Sequence, residues 1–358
     1  MRVIIAGGGT GGHLFPAVAL GEAFRRRDPT GMILFVGTAN PLEISALSRK
    51  GFNHVAIEVE GLKRRGLLQQ LRSLARIPKA FWKAIVIMRR FNPDIIIGVG
   101  GYASGPVALA ARILGKKMVI HEQNVLPGFT NRILGRFAHR IFISFPDKLT
   151  VFKSSKTVMS GNPVRRELLA AKGIKKTAAQ FTVLVLGGSQ GAHAINCAVV
   201  EALDLLENPA RMAFIHQTGS ADAAWVVRAY KKAGLTAKVK PFFDNMADAY
   251  RAADLVICRA GATTVAEIAA LGKPAIFIPY PFAVNNHQEL NARYLADSGG
   301  AEVIVEKDLT GALLASRIDY YASNPELLQE MAAHASAIGR PDAADLIAEE
   351  CRRLVVLG

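Results

Sequence analysis

The stretch Gly7-Gly8-Gly9-Thr10-Gly11-Gly12-His13-Leu14-Phe15-Pro16 follows the apolar run Val3-Ile4-Ile5-Ala6 and precedes a helical pattern from Ala17 to Arg27. Five glycines in six residues leave almost no side chain in the way. A buried parallel strand ending in such a loop lets backbone come very close to a ligand at the strand's carboxyl end, where open α/β sheets bind their ligands. His13 is the first chemically capable side chain on the loop and is available there as a base. The alternative is an imidazole that only caps or packs the first helical turn.

Working outward, apolar runs alternate with helical stretches: Val3 to Ala6, Met32 to Val36, Ile95 to Val99, Met118 to His121 and Ile141 to Ile143. This is βαβ punctuation and predicts a parallel, doubly wound sheet. Gly7, Gly9 and Gly12 satisfy G-x-G-x-x-G, yet the acid a dinucleotide domain places after its second strand is missing. That strand runs into Gly37-Thr38-Ala39-Asn40, with no acid until Glu43, which makes a nicotinamide dehydrogenase a weak reading. Gly and Pro in Ser160-Gly161-Asn162-Pro163-Val164 mark a linker. A second series follows in Thr182 to Leu186, Met212 to His216, Lys238 to Lys240, Leu255 to Cys258 and Ala275 to Ile278. The expected domains are 1–160 and 161–340, with helices over Pro325 to Gly339 and Pro341 to Leu357.

A length of 358 residues, 51% of them apolar, suits two cores. No run approaches a membrane span or a signal peptide's apolar region, so a cytoplasmic protein is expected. Three widely spaced cysteines, Cys197, Cys258 and Cys351, suggest neither a disulfide framework nor a zinc site. The net charge of +15 is one-sided: residues 1–160 hold 24 Lys and Arg against 8 Asp and Glu, and residues 161–358 hold 20 against 21. The first half therefore faces something anionic. Between Leu62 and Phe91 nine basic residues, without an acid, interleave with Leu67, Leu68, Leu71, Leu74, Ile77, Phe81, Trp82, Ile85, Val86 and Met88. Such a stretch suits an interfacial helix at an anionic bilayer, divided at Pro78; a solvated helix packed on the sheet is the alternative. No aromatic platform or reader motif accompanies the charge, so nucleic acid is not an expected partner.

Polar clusters follow the strands. Gly98-Val99-Gly100-Gly101-Tyr102-Ala103-Ser104-Gly105-Pro106 reads as a second wall of the first site, and His121-Glu122-Gln123-Asn124 as a polar site for sugar hydroxyls or as a capping network leading to Phe129-Thr130-Asn131. In the second half, Gly187-Gly188-Ser189-Gln190-Gly191-Ala192 repeats the strand, glycine loop and helix order. Arg259-Ala260-Gly261-Ala262-Thr263-Thr264-Val265-Ala266-Glu267 puts small residues at a helix start, where unpaired N–H groups and the helix dipole favour phosphate. Glu267 is placed to accept from paired ribose hydroxyls, or else serves only the macrodipole. Asn285 to Ala292 suits a hydroxyl-rich ligand or a solvated helix start. No G-x-x-x-x-G-K-[ST] occurs.

In their order and spacing these stretches, together with Gly161-Asn162-Pro163-Val164-Arg165, resemble the MurG family over essentially the whole chain. These are bacterial enzymes that transfer N-acetylglucosamine from UDP-GlcNAc to undecaprenyl-diphospho-N-acetylmuramoyl-pentapeptide in peptidoglycan biosynthesis. The resemblance implies a GT-B architecture of two Rossmann-like domains facing across a cleft, with the last helix returning to the first. It implies donor binding by Thr10, Gly11, Gly12, Asn124, Arg165, Ser189, Gly191, Phe243, Ala262, Thr263, Thr264, Glu267, His287 and Gln288. Within that set the backbone near Phe243 meets uracil, Glu267 the ribose, Ser189, Gly191, Thr263 and Thr264 the diphosphate, and His287 and Gln288 the sugar. Tyr102, Ser104 and Asn131 are implied on the acceptor side. His13 is the implied catalytic residue, with Glu122 a competing base. No cofactor and no metal are expected, and no Asp-x-Asp is present. The implied partners are UDP-GlcNAc, the lipid-linked muramoyl-pentapeptide and an anionic membrane surface, which the protein meets peripherally on the cytoplasmic face. A UDP-GlcNAc 2-epimerase or a diacylglycerol glycosyltransferase on the same architecture is the rival reading.

Overall fold

The computed structural model describes the chain apart from Thr10, residues 59–66, Tyr102, Lys148, Ala171, residues 174–179, Ser189 and Gly358; the side chains of 67–77 and Leu357 also lie outside the described set. The basic residues at 63–76 therefore fall outside it. Two compact units result: Met1–Arg165 with Asp342–Gly358, and Arg166–Pro341.

Unit 1 is built on strands β1 (Arg2–Ala6), β2 (Met32–Gly37), β3 (Asn53–Ala56), β4 (Ile95–Gly98), β5 (Lys117–Glu122), β6 (Arg140–Ile143) and β7 (Thr157–Met159). Their order is β3-β2-β1-β4-β5-β6-β7, and every pairing is parallel. Parallel sheets are covered on both faces, which is why their central strands read as unbroken apolar runs. Ile4, Ile5, Ala6, Ile95, Ile96 and Ile97 are accordingly buried. One face carries Ala80, Ala84, Ile85, Met88, Val107 and Ala111 from the helices Leu67–Phe91 and Ser104–Ile113. The other carries Leu14, Ala17, Val18 and Phe24 from the helix Gly11–Arg27, beside Ala344, Ile347, Ala348 and Cys351 of the final helix Ala343–Leu357. Arg26 and Arg27 of the first helix pair with Asp345 (2.9 Å) and Glu349 (2.8 Å) of the last.

Unit 2 repeats the plan with β8 (Phe181–Leu186), β9 (Met212–Gln217), β10 (Thr236–Lys240), β11 (Leu255–Cys258), β12 (Ala275–Phe277) and β13 (Glu302–Val303), in the order β10-β9-β8-β11-β12-β13, again all parallel. Strand order reverses between β1 and β4 in one sheet and between β8 and β11 in the other. These reversal points are where a crevice opens at the strands' carboxyl ends.

Two expectations about helices are corrected. The first helix begins at Gly11, not Ala17, so Gly11, Gly12 and His13 are its first turn and Pro16 lies inside it. Pro16 removes only the bond to Gly12, close to the end where N–H groups lack helical partners in any case. The helix Leu67–Phe91 likewise runs through Pro78 undivided. A proline forfeits one main-chain bond there, while Ala80, Ala84, Ile85 and Met88 stay packed on the sheet.

Candidate active site

In unit 1 the loops after β1 and β4 meet backbone to backbone. Gly101 has φ +81°, and a Cβ on it would lie 2.5 Å from the Gly8 carbonyl oxygen, so only glycine permits the approach. His13, in the first turn of the helix that follows, lies against Gly100, and its Nδ1 is 3.1 Å from Gln123 Oε1. Gln123 Nε2 donates to the Val99 carbonyl (2.6 Å) and lies 3.2 Å from His121 Nδ1. His121 is fully buried, its Nε2 3.1 Å from the Gly161 carbonyl in the segment that ends the unit. Burial pulls its pKa down to about 4, opposed by the Gly161 hydrogen bond and helped by the charge of His13. His121 is therefore a neutral, structural imidazole.

Glu122 is employed differently from a poised base. One carboxylate oxygen accepts from the Asn124 backbone N–H (3.0 Å) and side chain (3.4 Å); the other accepts from Gly128 N–H (3.0 Å) and Asn131 Nδ2 (2.8 Å). Four donors on a carboxylate that is 2% exposed make it the brace of the 124–131 turn. Asn131 is buried as part of that brace, and Ser104 is buried with its hydroxyl donating to Gly101 O at 2.8 Å. Both shape the loops rather than offer a surface group. Arg165 stacks its guanidinium over the Phe15 ring, 4.4 Å from the centroid, which places it on unit 1. Thr10 and Tyr102 lie outside the described residues.

In unit 2 the glycine loop after β8 approaches the turn after β9 so closely that a Cβ on Gly191 would overlap the Thr218 carbonyl oxygen. Gln217, which the sequence reading did not single out, ties this loop to the segment at Phe243. Its Nε2 donates to Gly188 O (3.0 Å) and its Oε1 accepts the Phe243 N–H (2.9 Å). Beneath them Tyr230, His216, Asn196 and Asp222 form a buried chain of hydrogen bonds, and desolvation, only partly opposed by Asp222, holds His216 down to about 3. Ser189 lies outside the described residues.

The helix Ala262–Leu271 starts after Gly261, so Ala262, Thr263 and Thr264 form its first turn at the carboxyl end of β11. Glu267, one turn further, is buried and accepts from the Tyr250 hydroxyl at 3.0 Å. His287 and Gln288 open the helix His287–Ala296; His287 Nδ1 lies 2.7 Å from Val284 O, and Gln288 Oε1 accepts the Tyr280 N–H. Asn291 in that helix donates to Ala260 O (3.4 Å), which holds the two helix starts together. Sequence reasoning also missed Glu43. It is 2% exposed and its carboxylate accepts from the Gly9 N–H (3.1 Å) and from the Thr38 hydroxyl (2.8 Å), which ties down the β1 loop.

Two parallel, doubly wound units, each with a glycine loop at its sheet's reversal point, define a protein of the GT-B class. The N-terminal domain of glycosyltransferase family 28 matches residues 3–143 and the family's C-terminal domain matches residues 182–347. A relative from Syntrophus aciditrophicus (strain SB), named UDP-N-acetylglucosamine–N-acetylmuramyl-(pentapeptide) pyrophosphoryl-undecaprenol N-acetylglucosamine transferase, is 48% identical over 100% of this chain and 99% of its own. The crystal structure of Acinetobacter baumannii MurG aligns with TM-score 0.79 and 33% identity, over 98% of this chain and 99% of that one. Neisseria meningitidis UDP-GlcNAc 2-epimerase, at 12% identity and TM-score 0.69 over 99% of this chain and 100% of that one, shares the fold alone. The chain belongs to the MurG family of glycosyltransferases.

Proposed function

We infer that the protein transfers N-acetylglucosamine from UDP-GlcNAc to the 4-hydroxyl of the muramoyl sugar in lipid-linked muramoyl-pentapeptide, with inversion at the anomeric carbon. The observation that carries this reading is the 48% identity, over 100% of this chain and 99% of the other, to a relative whose name gives N-acetylglucosamine transfer to a pyrophosphoryl-undecaprenol-linked muramyl-pentapeptide. The acceptor oxygen attacks the anomeric carbon as the bond to UDP breaks, and the hydroxyl proton passes to the His13 imidazole. Glu122 is set aside as the base because its carboxylate is already taken up by four donors. Charge growing on the departing UDP is met by backbone N–H groups at the start of the helix Ala262–Leu271. Glu267 takes the ribose and the segment at Phe243 the uracil. Those aimed dipoles serve the leaving group without a metal ion.

The acceptor's lipid places the enzyme at a membrane surface, peripherally and on the cytoplasmic side. No helix among the described residues is long and apolar enough to cross a bilayer. Three neighbouring helices of unit 1 do expose large apolar side chains: Trp82 (64%), Ile113 (61%) and Phe129 (69%), with Val86, Leu109 and Ile133. Exposed Lys83, Arg89, Arg90, Arg112 and Arg132 share those helices. Apolar side chains beside cations suit an anionic bilayer, each cation contributing roughly 1 kcal/mol.

The test is transfer of labelled GlcNAc to a soluble short-chain lipid I analogue with a chelator present and a muramoyl-free glycolipid as control. Product with the muramoyl acceptor alone is the expected result. Loss of transfer on chelation overturns the metal-free reading, and near-normal turnover by His13→Ala overturns the base.

A further inference from the structure

We propose that Gln123 is a positioning residue that locks His13 into a single tautomer, with the proton on Nδ1 and the catalytic lone pair on Nε2. The inference rests on His13 being the base. Two hydrogen bonds away from His13 stands a backbone carbonyl, which can only accept. Val99 O lies 2.6 Å from one terminal atom of the Gln123 amide, so that atom is the NH2 group and donates. The same NH2 lies 3.2 Å from His121 Nδ1, which accepts its second hydrogen. His121 Nε2 then carries that ring's proton and donates to Gly161 O at 3.1 Å, in agreement with the neutral state its burial imposes. The other end of the Gln123 amide must be the carbonyl oxygen, an acceptor, and it faces His13 Nδ1 at 3.1 Å. His13 therefore donates from Nδ1 and, when neutral, holds its lone pair on Nε2.

This arrangement differs from a histidine oriented by a carboxylate. A neutral amide fixes the ring and its tautomer without adding a negative charge that would raise the imidazole's pKa. It also leaves Nδ1 correctly paired when Nε2 takes the acceptor's proton, since the Nδ1–H bond is the same in both charge states. Gly100 supports the ring from its side: it has φ +88°, and a Cβ there would lie 2.8 Å from His13 Cε1. A residue with a side chain at position 100 would push the ring off the amide.

The experiment uses the full chain labelled with 15N at histidine, with the His13 signals assigned by their loss in His13→Ala. Two-bond proton–nitrogen correlation spectra above the imidazole titration should show His13 protonated on Nδ1 in the wild type. In Gln123→Leu the lock is gone, and the His13 spectrum should move toward the Nε2–H form. With it kcat should fall roughly ten- to hundredfold, within the range of general base catalysis, while KM for UDP-GlcNAc stays the same. In Gln123→Glu an acceptor toward Nδ1 remains, while the donor toward Val99 O and His121 Nδ1 is lost. The acidic limb of the kcat profile should shift to higher pH, and part of the rate lost in the leucine variant should return above it.

An Nε2–H tautomer in the wild type overturns the proposal outright, whatever the variants do. Lost turnover in Gln123→Leu with the His13 tautomer unchanged also overturns it, because Gln123 would then act through loop structure alone. A failed base assignment shows itself separately, as near-normal turnover in His13→Ala.

Discussion

The Glu43 carboxylate accepts the Gly9 backbone N–H at 3.1 Å, so the loop that leads into the helical turn of His13 is anchored by a buried acid 34 residues further along the chain. Burial pushes this carboxyl's pKa up, and the close His54 imidazole with the hydrogen bonds from Thr38 and Gly9 more than offsets it, leaving it below the usual glutamate value. A depressed folded pKa adds stability that is full above the unfolded value and is lost as pH falls through the folded one. Glu43→Ala leaves the Gly9 and Thr38 N–H groups without their acceptor and should cost about 3 kcal/mol. Urea unfolding at pH 7 checks the magnitude. A loss near zero would mean that the loop holds its shape without the acid.

Tyr250 donates to Glu267 Oε2 at 3.0 Å and so helps orient the carboxylate proposed to take the donor's ribose. Removing the hydroxyl in Tyr250→Phe takes this donor away from the carboxylate, with little change in packing. UDP should bind about three- to tenfold more weakly by calorimetry, the equivalent of one ordinary hydrogen bond. Glu267→Ala should weaken binding further. Unchanged affinity in both variants would remove Glu267 from the donor site.

The central strands and both glycine loops were legible because a parallel sheet buried on two faces writes itself as short apolar runs punctuated by glycine. The edge strands Asn53–Ala56, Thr157–Met159 and Glu302–Val303 were not legible. Each is two to four residues long and only partly buried, so no apolar run marks it. Glu43 entered the reading only as an acid too late to hold a ribose, and its partnership with Gly9 exists only once β1 and β2 lie side by side. Gln217 was hidden for the same reason: the backbone groups it joins, at Gly188 and Phe243, are distant in sequence. Gln123 stood inside a visible polar cluster, but its role depends on which end of the amide meets Val99 O, and no spacing encodes that.

His121 and His216, one in each unit, are both held neutral, at about 4 and about 3. The unfolded chain takes up a proton at each near the ordinary value of about 6.5, while the folded chain refuses it. Stability therefore falls as pH drops below about 6.5, by up to about 1.4 kcal/mol per pH unit for each histidine. Denaturant unfolding at pH 7.5 and pH 5.0 should show a loss of about 2 kcal/mol from each. His216→Gln should be less stable at pH 7.5 but should flatten the dependence of unit 2. A slope unchanged in that variant would assign the dependence to other groups.

Trp82 and Phe129 are the most exposed aromatic side chains on the helices proposed to meet the membrane. Replacing both with serine removes apolar surface and leaves every neighbouring cation in place. Retention on vesicles containing anionic phospholipid should fall about tenfold or more, since each aromatic burial contributes more than 1 kcal/mol. Turnover with a soluble acceptor analogue should be unaffected. Equal retention of wild type and double variant in a vesicle-flotation assay would leave charge alone as the attachment.

The glycine loop after β8 offers a comparison between two glycines three residues apart. Gly188 has φ +76° with nothing within 4 Å of the position a Cβ would take, whereas Gly191 has φ +81° and a Cβ there would overlap the Thr218 carbonyl oxygen and lie 3.1 Å from Gly219 Cα. Alanine at 188 meets only the left-handed backbone penalty, about 1 kcal/mol of stability, and the loop keeps its shape. Alanine at 191 must push the two turns apart, and with them the loop proposed to meet the diphosphate. UDP affinity should therefore fall at least tenfold in Gly191→Ala and by no more than about threefold in Gly188→Ala, a difference of at least about 0.7 kcal/mol in binding. Calorimetric titration with UDP, alongside thermal unfolding, separates the two effects. Equal losses of affinity in the two variants would show that backbone strain, not the contact between the loops, governs the donor site.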